Sequence, residues 1–188
     1  MAKINENPLV RGARGNFGKQ YVYRKRGNDT FLTRMPVKTD APPSEKQEVQ
    51  RDLFAAASQY ATGAMNDPAL KKAYGKKAPP GKTAYNMAFR DFLRAPKVRV
   101  IDTENYDGKP GSTIVVTARD DFRVVSVTVS IYSADGQLLE KGEAVLNPLY
   151  REKWSYTATL SNTLLTGSKI KVVARDLPGN PGMGEVTL

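Results

Sequence analysis

Apolar and polar side chains alternate with period two from Lys97 onward. In "VVSVTVSIY", Val125, Val127, Val129 and Ile131 alternate with Ser126, Thr128 and Ser130. In "WSYTATL", Trp154, Tyr156, Ala158 and Leu160 alternate with Ser155, Thr157 and Thr159; in "KIKVVA", Ile170, Val172 and Ala174 alternate with Lys169, Lys171 and Val173. Successive side chains of a strand point to opposite faces, so each stretch has one dry face and one wet face. Shorter runs at 98–102, 113–118, 137–144 and 185–188 add four strands, separated by the turn clusters "YDGKPGS", "SADG", "NPLY", "LTGS" and "LPGNPG". Seven short strands with no helix between them predict an antiparallel sandwich over residues 96–188.

Residues 37–95 follow the helical period instead. Ser44 with Gln47 three residues on forms a capping box, after which Val49, Leu53, Phe54, Ala57, Tyr60, Ala61 and Ala64 recur as one apolar stripe. A second, short helix starts at Asp67, with Pro68 in its first turn and Leu70, Ala73 and Tyr74 on its buried side. A third starts at the N-cap Thr83, turns Tyr85, Ala88, Phe89, Phe92 and Leu93 inward, and stops before Pro96, because a residue preceding proline avoids the helical region. Residues 1–36 form a Gly-rich arm and a predicted β-hairpin with Gly27-Asn28-Asp29 at the turn. In that hairpin Tyr21 and Tyr23 share a face with Lys25, while Val22, Arg24 and Arg26 take the other.

The sequence "GKT" at 81–83 raises the question of a phosphate-binding loop. That motif needs a glycine five residues before Gly81, where Lys76 stands, and it needs a preceding strand. Pro79 and Pro80 also remove two N–H donors from the cradle. The segment therefore reads as a helix–helix linker.

Charge sharpens the picture. The chain carries +10, and all of the excess lies in residues 1–95, which hold 18 Lys/Arg against 8 Asp/Glu. Residues 96–188 hold 11 of each. Such asymmetry points to two parts with different tasks, the first facing something acidic or docking on a neighbour. The candidate contact residues, for assembly or for a polyanion, are Arg11, Arg14, Lys19, Tyr21, Tyr23, Arg24, Lys25, Arg26 and Arg34. Basic residues interleaved with aromatics suit a phosphate backbone with stacked bases, a role to which Lys71, Lys72, Lys76, Lys77 and Lys82 would add.

With neither Cys nor His in the chain, disulfides, thiolate nucleophiles, and Cys or His metal sites are excluded. The commonest general base near neutral pH is missing as well. We expect no enzyme activity and no cofactor. One weak calcium candidate exists, in which Asp120, Asp121, Asp176 and Asn180 supply oxygen from two loops at one end of the sandwich. The alternative is that Asp176 and Asn180 hydrogen-bond their own turn. No stretch is apolar enough for a membrane helix and the N-terminus has no signal-peptide core, so we expect a cytoplasmic protein, or one in a particle assembled in the cytoplasm.

"GSTIVVTARDDFRVVSVTVSIYSADGQLL", "KWSYTATL" and "TGSKIKVVARDLPGN" together resemble a bacterial immunoglobulin-like domain, down to its Ala-x-Asp-x-x-Gly-Asn ending, although the cysteine pair of antibody domains is lacking. With the predicted hairpin and helices before it, the expected chain is α+β in two parts, an N-terminal basic β-hairpin and short helices followed by what this resemblance implies, an immunoglobulin-like sandwich of about seven strands. Such domains are adhesion or spacing modules, and the fold implies no chemistry. The glycine-rich basic opening, the hairpin closing on "RMP" and "PSEKQEVQRDLFAAASQYA" are similar to a family of small bacterial proteins of unknown function, associated with phage-like or mobile-element gene sets. "PPGKTAYNMAFRDFL" resembles the first helix of a high-mobility-group box, but Pro96 leads into strands where two further helices are required. The expectation is a structural or accessory subunit of a large intracellular assembly, such as a phage-like particle or filament. It would form homo-oligomers or join other subunits through its basic arm. The alternatives are a nucleic-acid-binding protein and an immunoglobulin-like adhesion module.

Overall fold

In a computed structural model of the chain, the structure describes residues 2–4, 7, 8, 10, 12–37 and 41–188, with residues 2, 3 and 26 as backbone only. The chain divides into two compact units, Met1–Val49 and Gln50–Leu188. The sequence boundaries at 36 and 95 fall elsewhere. The first of these leaves out the start of a helix, and the second lies inside the larger unit.

The first unit is a four-stranded antiparallel sheet of β1 (Ala2–Lys3), β2 (Gly15–Phe17), β3 (Tyr21–Arg26) and β4 (Asp29–Arg34), in the order β1-β4-β3-β2. The expected hairpin is β3–β4, and its loop is one residue shorter than expected. Asp29 already pairs with Arg26, which leaves Gly27 and Asn28 between the strands. Gly27 has φ +60, a value that favours glycine and suits the first loop position of a II′ turn. Among the described residues of this unit only Thr30 is buried, so the sheet has no apolar core of its own.

Helix α1 (Glu45–Asn66) begins in the first unit and continues into the second. At its start the Ser44 N–H donates to Gln47 Oε1 at 3.0 Å, the reaching-back half of the capping box. Helix α2 (Pro68–Lys77) is capped by Asp67, whose Oδ1 accepts from Ala69 N and Leu70 N. Helix α3 (Ala84–Phe92) is capped by Thr83 Oγ1, which accepts from Asn86 N at 3.2 Å. These three caps satisfy N–H groups that have no partner inside a helix.

Eight strands follow: β5 (Lys97–Asp102), β6 (Thr113–Arg119), β7 (Val124–Tyr132), β8 (Leu138–Glu143), β9 (Val145–Leu146), β10 (Lys153–Thr157), β11 (Lys169–Asp176) and β12 (Pro181–Thr187). They form two antiparallel four-stranded sheets, β5-β6-β10-β9 and β12-β11-β7-β8. The sandwich core includes the dry-face residues Val127, Val129, Ile131, Trp154, Tyr156, Ile170 and Val172, joined by Ile114 and Val116 of β6. The strand count is eight rather than seven, because the two-residue β9 is too short to alternate. Leu160 is 54% exposed because β10 ends at Thr157, and Val125 is 50% exposed near the bulge at Arg175/Asp176. Gly182 and Gly184 of β12 let it lie against the start of β5, since a Cβ at either position would collide with Pro96 or Val98.

A second cluster joins the helices to one end of the sandwich. Ala61, Ala64, Tyr74, Met87 and Ala88 pack with Phe122 from the β6–β7 turn, and the Tyr74 and Phe122 rings stack at 4.0 Å. None of the described helices is long and apolar enough to cross a membrane.

Candidate functional site

The register of the N-terminal sheet sorts the candidate contact residues onto two faces. Phe17 pairs with Tyr21, Tyr21 with Arg34, Tyr23 with Leu32 and Lys25 with Thr30. Directly paired residues share a face, so Phe17, Tyr21, Tyr23, Leu32, Lys25 and Arg34 lie together. The Phe17 and Tyr23 rings meet edge to face at 6.2 Å, while Phe17 is 62% and Tyr21 38% exposed. Arg24 lies on the opposite face, as does the backbone position of Arg26. Arg14, Lys19, Arg24, Lys25 and Arg34 are all exposed. Arg11 lies outside the described residues.

Phe17 was not singled out by sequence reasoning. Its signal is the three-residue turn at 18–20, which folds β2 back onto β3. Lys19 in that turn has φ +58, the one positive value at a non-glycine among the described residues. Lys19, Tyr21, Arg34, Met35 and Val37 line a shallow depression beside the turn.

The four oxygen-bearing residues weighed for calcium each have a local partner. Asp176 Oδ1 accepts from Gly179 N at 2.8 Å and Asn180 N at 2.6 Å, and its Oδ2 accepts from Asn180 Nδ2 at 2.8 Å. Asp120 Oδ2 accepts from Phe122 N and Arg123 N at 2.8 and 3.0 Å. Asp121 is held by Arg90 in a two-bond fork of 2.8 and 3.1 Å, with Arg94 at 3.4 Å. No group of three or more His, Cys, Asp or Glu among the described residues is arranged to hold a metal ion. The linker at 78–83 follows a helix, and Lys82 N donates to Pro79 O as part of its turn.

Asp91 is the buried polar residue that the helical pattern concealed. It faces inward from α3, fully buried, beside Met87 and Ala88. Its Oδ2 accepts from Tyr74 Oη at 2.7 Å, and that hydroxyl meets Tyr60 Oη at 2.9 Å. Asp91 Oδ1 and Asp120 Oδ1 are both buried without a hydrogen-bond partner. Burial pushes the Asp91 carboxyl up to about 7; the Tyr74 bond opposes this, and the carboxylates of Asp120 and Asp176 reinforce it. Burial raises Asp176 too, against the bonds from Asn180 and Gly179.

Glu140, on β8, shows the opposite balance. Burial alone would raise it, yet Tyr156 Oη at 2.6 Å, Thr159 N at 2.7 Å, Thr159 Oγ1 at 2.8 Å and Leu160 N at 3.2 Å all donate to it and hold it below the ordinary glutamate value. Asp91 lies where the helices meet the sandwich, and Glu140 where β8 meets the end of β10. The N-terminal sheet carries exposed aromatic and cationic side chains in Phe17, Tyr21, Arg24, Lys25 and Arg34. No protein-family model matches this chain, and no curated protein matches it.

Proposed function

We propose that this chain is a non-enzymatic structural or accessory subunit of an assembly, docking through its N-terminal sheet onto a neighbouring copy. One observation carries the reading: the sheet buries no apolar side chain among its described residues while holding Phe17 and Tyr21 on one exposed face. A small sheet without a covered face is marginal alone, and association supplies the missing cover. Val49 of the same unit, on the apolar stripe of α1, is 63% exposed as well. A phage-like particle or filament is the kind of assembly that the N-terminal resemblance implies.

Within the larger unit, residues 96–188 are read as an immunoglobulin-like spacer. The strand orders β5-β6-β10-β9 and β12-β11-β7-β8 support this, being those of sheets ABED and GFCC′. Its buried Trp154 sits on β10 rather than on the third strand, where antibody domains carry theirs.

The shared face of Phe17, Tyr21 and Tyr23 with Lys25 and Arg34 also favours a second reading, a stacking platform for single-stranded nucleic acid. The deciding experiment changes Phe17, Tyr21 and Tyr23 to Ser in the full chain and measures mass by light scattering at 0.1 and 0.5 M salt. Docking predicts oligomers in the parent at both salts and monomers in the variant. A parent that stays monomeric, yet binds an oligonucleotide with a log K against log salt slope near about −5, would overturn the docking reading.

A further inference from the structure

A groove of about 880 Å³ opens where the last turn of α2 faces the β6–β7 turn and the β9–β10 loop. Five cations line it: Lys76, Lys77, Arg119, Arg123 and Arg151, against two acids, Asp120 and Glu152. The acids are already engaged. Asp120 Oδ2 caps two backbone N–H groups, and Glu152 pairs with Arg119 at 3.5 Å. The Lys77 ammonium donates to the Phe122 carbonyl. Lys76, Arg123 and Arg151 remain without an acidic partner among the described residues, and all three are exposed. The Arg123 guanidinium lies 5.5 Å from the centre of the Phe122 ring, which keeps it at the rim.

The rest of the wall is apolar, formed mainly by Val125, Leu146, Pro148 and Trp154. Surplus cations and an apolar wall therefore meet in one concavity of small-molecule size.

We infer that this groove binds a small organic anion with an apolar body and a carboxylate or phosphate group. The body lies along Val125, Leu146 and Pro148, and its oxyanion sits between Arg123 and Arg151, whose guanidinium forks match such groups. A nucleic-acid backbone fits less well, because Asp120 and Glu152 interrupt the cationic wall and the apolar half offers no row of exposed rings. This site is independent of the N-terminal sheet and of its proposed docking.

The test is calorimetry on the full chain with four probes: 1-naphthoate, 1-naphthyl phosphate, inorganic phosphate and neutral 1-naphthalenemethanol. At least one naphthyl anion is expected to bind saturably at one site, at least tenfold more tightly than inorganic phosphate or the neutral alcohol. Comparing the two anions identifies the oxyanion. The exposed double change Arg123→Gln with Arg151→Gln is expected to weaken that anion at least tenfold, with the far-ultraviolet circular dichroism unchanged. No saturable binding of either anion up to about 5 mM overturns the inference. So does binding that ignores the two arginine changes, or a mixed-sequence oligonucleotide that binds more tightly than both anions and competes with them.

Discussion

Replacing Asp91 by Asn isolates the energetic cost of a buried acid. Asp91 is fully buried on α3, bonded through one oxygen to Tyr74, with its other oxygen and one oxygen of Asp120 unpartnered. Its carboxyl is pushed up to about 7 in the folded state, from an ordinary value of 3.8. Between about pH 4 and pH 7 the folded protein therefore keeps a proton that the unfolded chain has released. Stability falls as pH rises through this window, and above about 7 both states are ionised and the loss is complete. The full shift corresponds to roughly 4 kcal/mol, an upper limit that relaxation and water penetration reduce to about 2 kcal/mol. Asn has the shape of the protonated acid. Its carbonyl keeps the Tyr74 bond, and its amide supplies a donor for Asp120. Asp91→Asn is thus expected to be about 2 kcal/mol more stable than the parent at pH 8 and about equal to it at pH 4.5. A shallow slope remains, since Asp176 is also raised and titrates in the same sense. Urea unfolding followed by the emission of Trp154, the single tryptophan, measures this across pH 4.5–8.5. A variant that tracks the parent at every pH, or is less stable at pH 8, refutes the assignment of the proton to Asp91.

Glu140→Gln removes a charge that four donors address, so it is expected to cost about 1–3 kcal/mol at pH 7 by urea unfolding. Because the folded-state value of Glu140 is lowered, its contribution is present above the ordinary glutamate range and lost as pH falls through that folded value; the parent and the Gln variant are expected to converge toward acid. Thr83→Ala removes the α3 cap and is expected to lower stability by about 1 kcal/mol, without creating or removing ATP affinity in a filter-binding assay. Gly182→Ala drives a Cβ into the Pro96 carbonyl and is expected to cost more than about 2 kcal/mol, with a Tm drop readable by calorimetry.

Local chemistry was the legible part of this fold. Asp67 and Thr83 declared themselves as helix caps because a cap needs only the next three residues. The strands β7, β10 and β11 declared themselves through alternation that one buried face requires. The apolar face predicted for the third helix holds Ala88, which is fully buried, and Tyr85 and Phe89, which pack against the same cluster; the pattern left out Met87 and Asp91, which are buried as well. A pattern of apolar positions has no place for a carboxylate, and the partners that admit Asp91 come from α2 and from a turn about thirty residues later. The apolar stripe of α1 is covered only in part: Ala57, Ala61 and Ala64 are buried, while Val49, Leu53 and Phe54 are exposed. Periodicity reports that a face is apolar and says nothing of what covers it. At the candidate interface the Tyr21–Tyr23–Lys25 face was legible from period two. The addition of Phe17 and Arg34 depended on pairing register, which the sequence specifies only through its turns.

Asn180 has one more consequence. Its side-chain amide, in the β11–β12 turn, donates to the Asp91 and Phe92 carbonyls at 3.3 and 3.1 Å and so closes the last turn of α3 from 88 residues away along the chain. That part of the helix end is closed by a turn made much later in the chain. During synthesis the Phe92 carbonyl lacks this donor until the β11–β12 hairpin has formed. At this contact maturation runs against the order of translation, since β11 and β12 complete a helix made before them. Truncation after β10 would therefore damage a segment that lies wholly upstream of the cut.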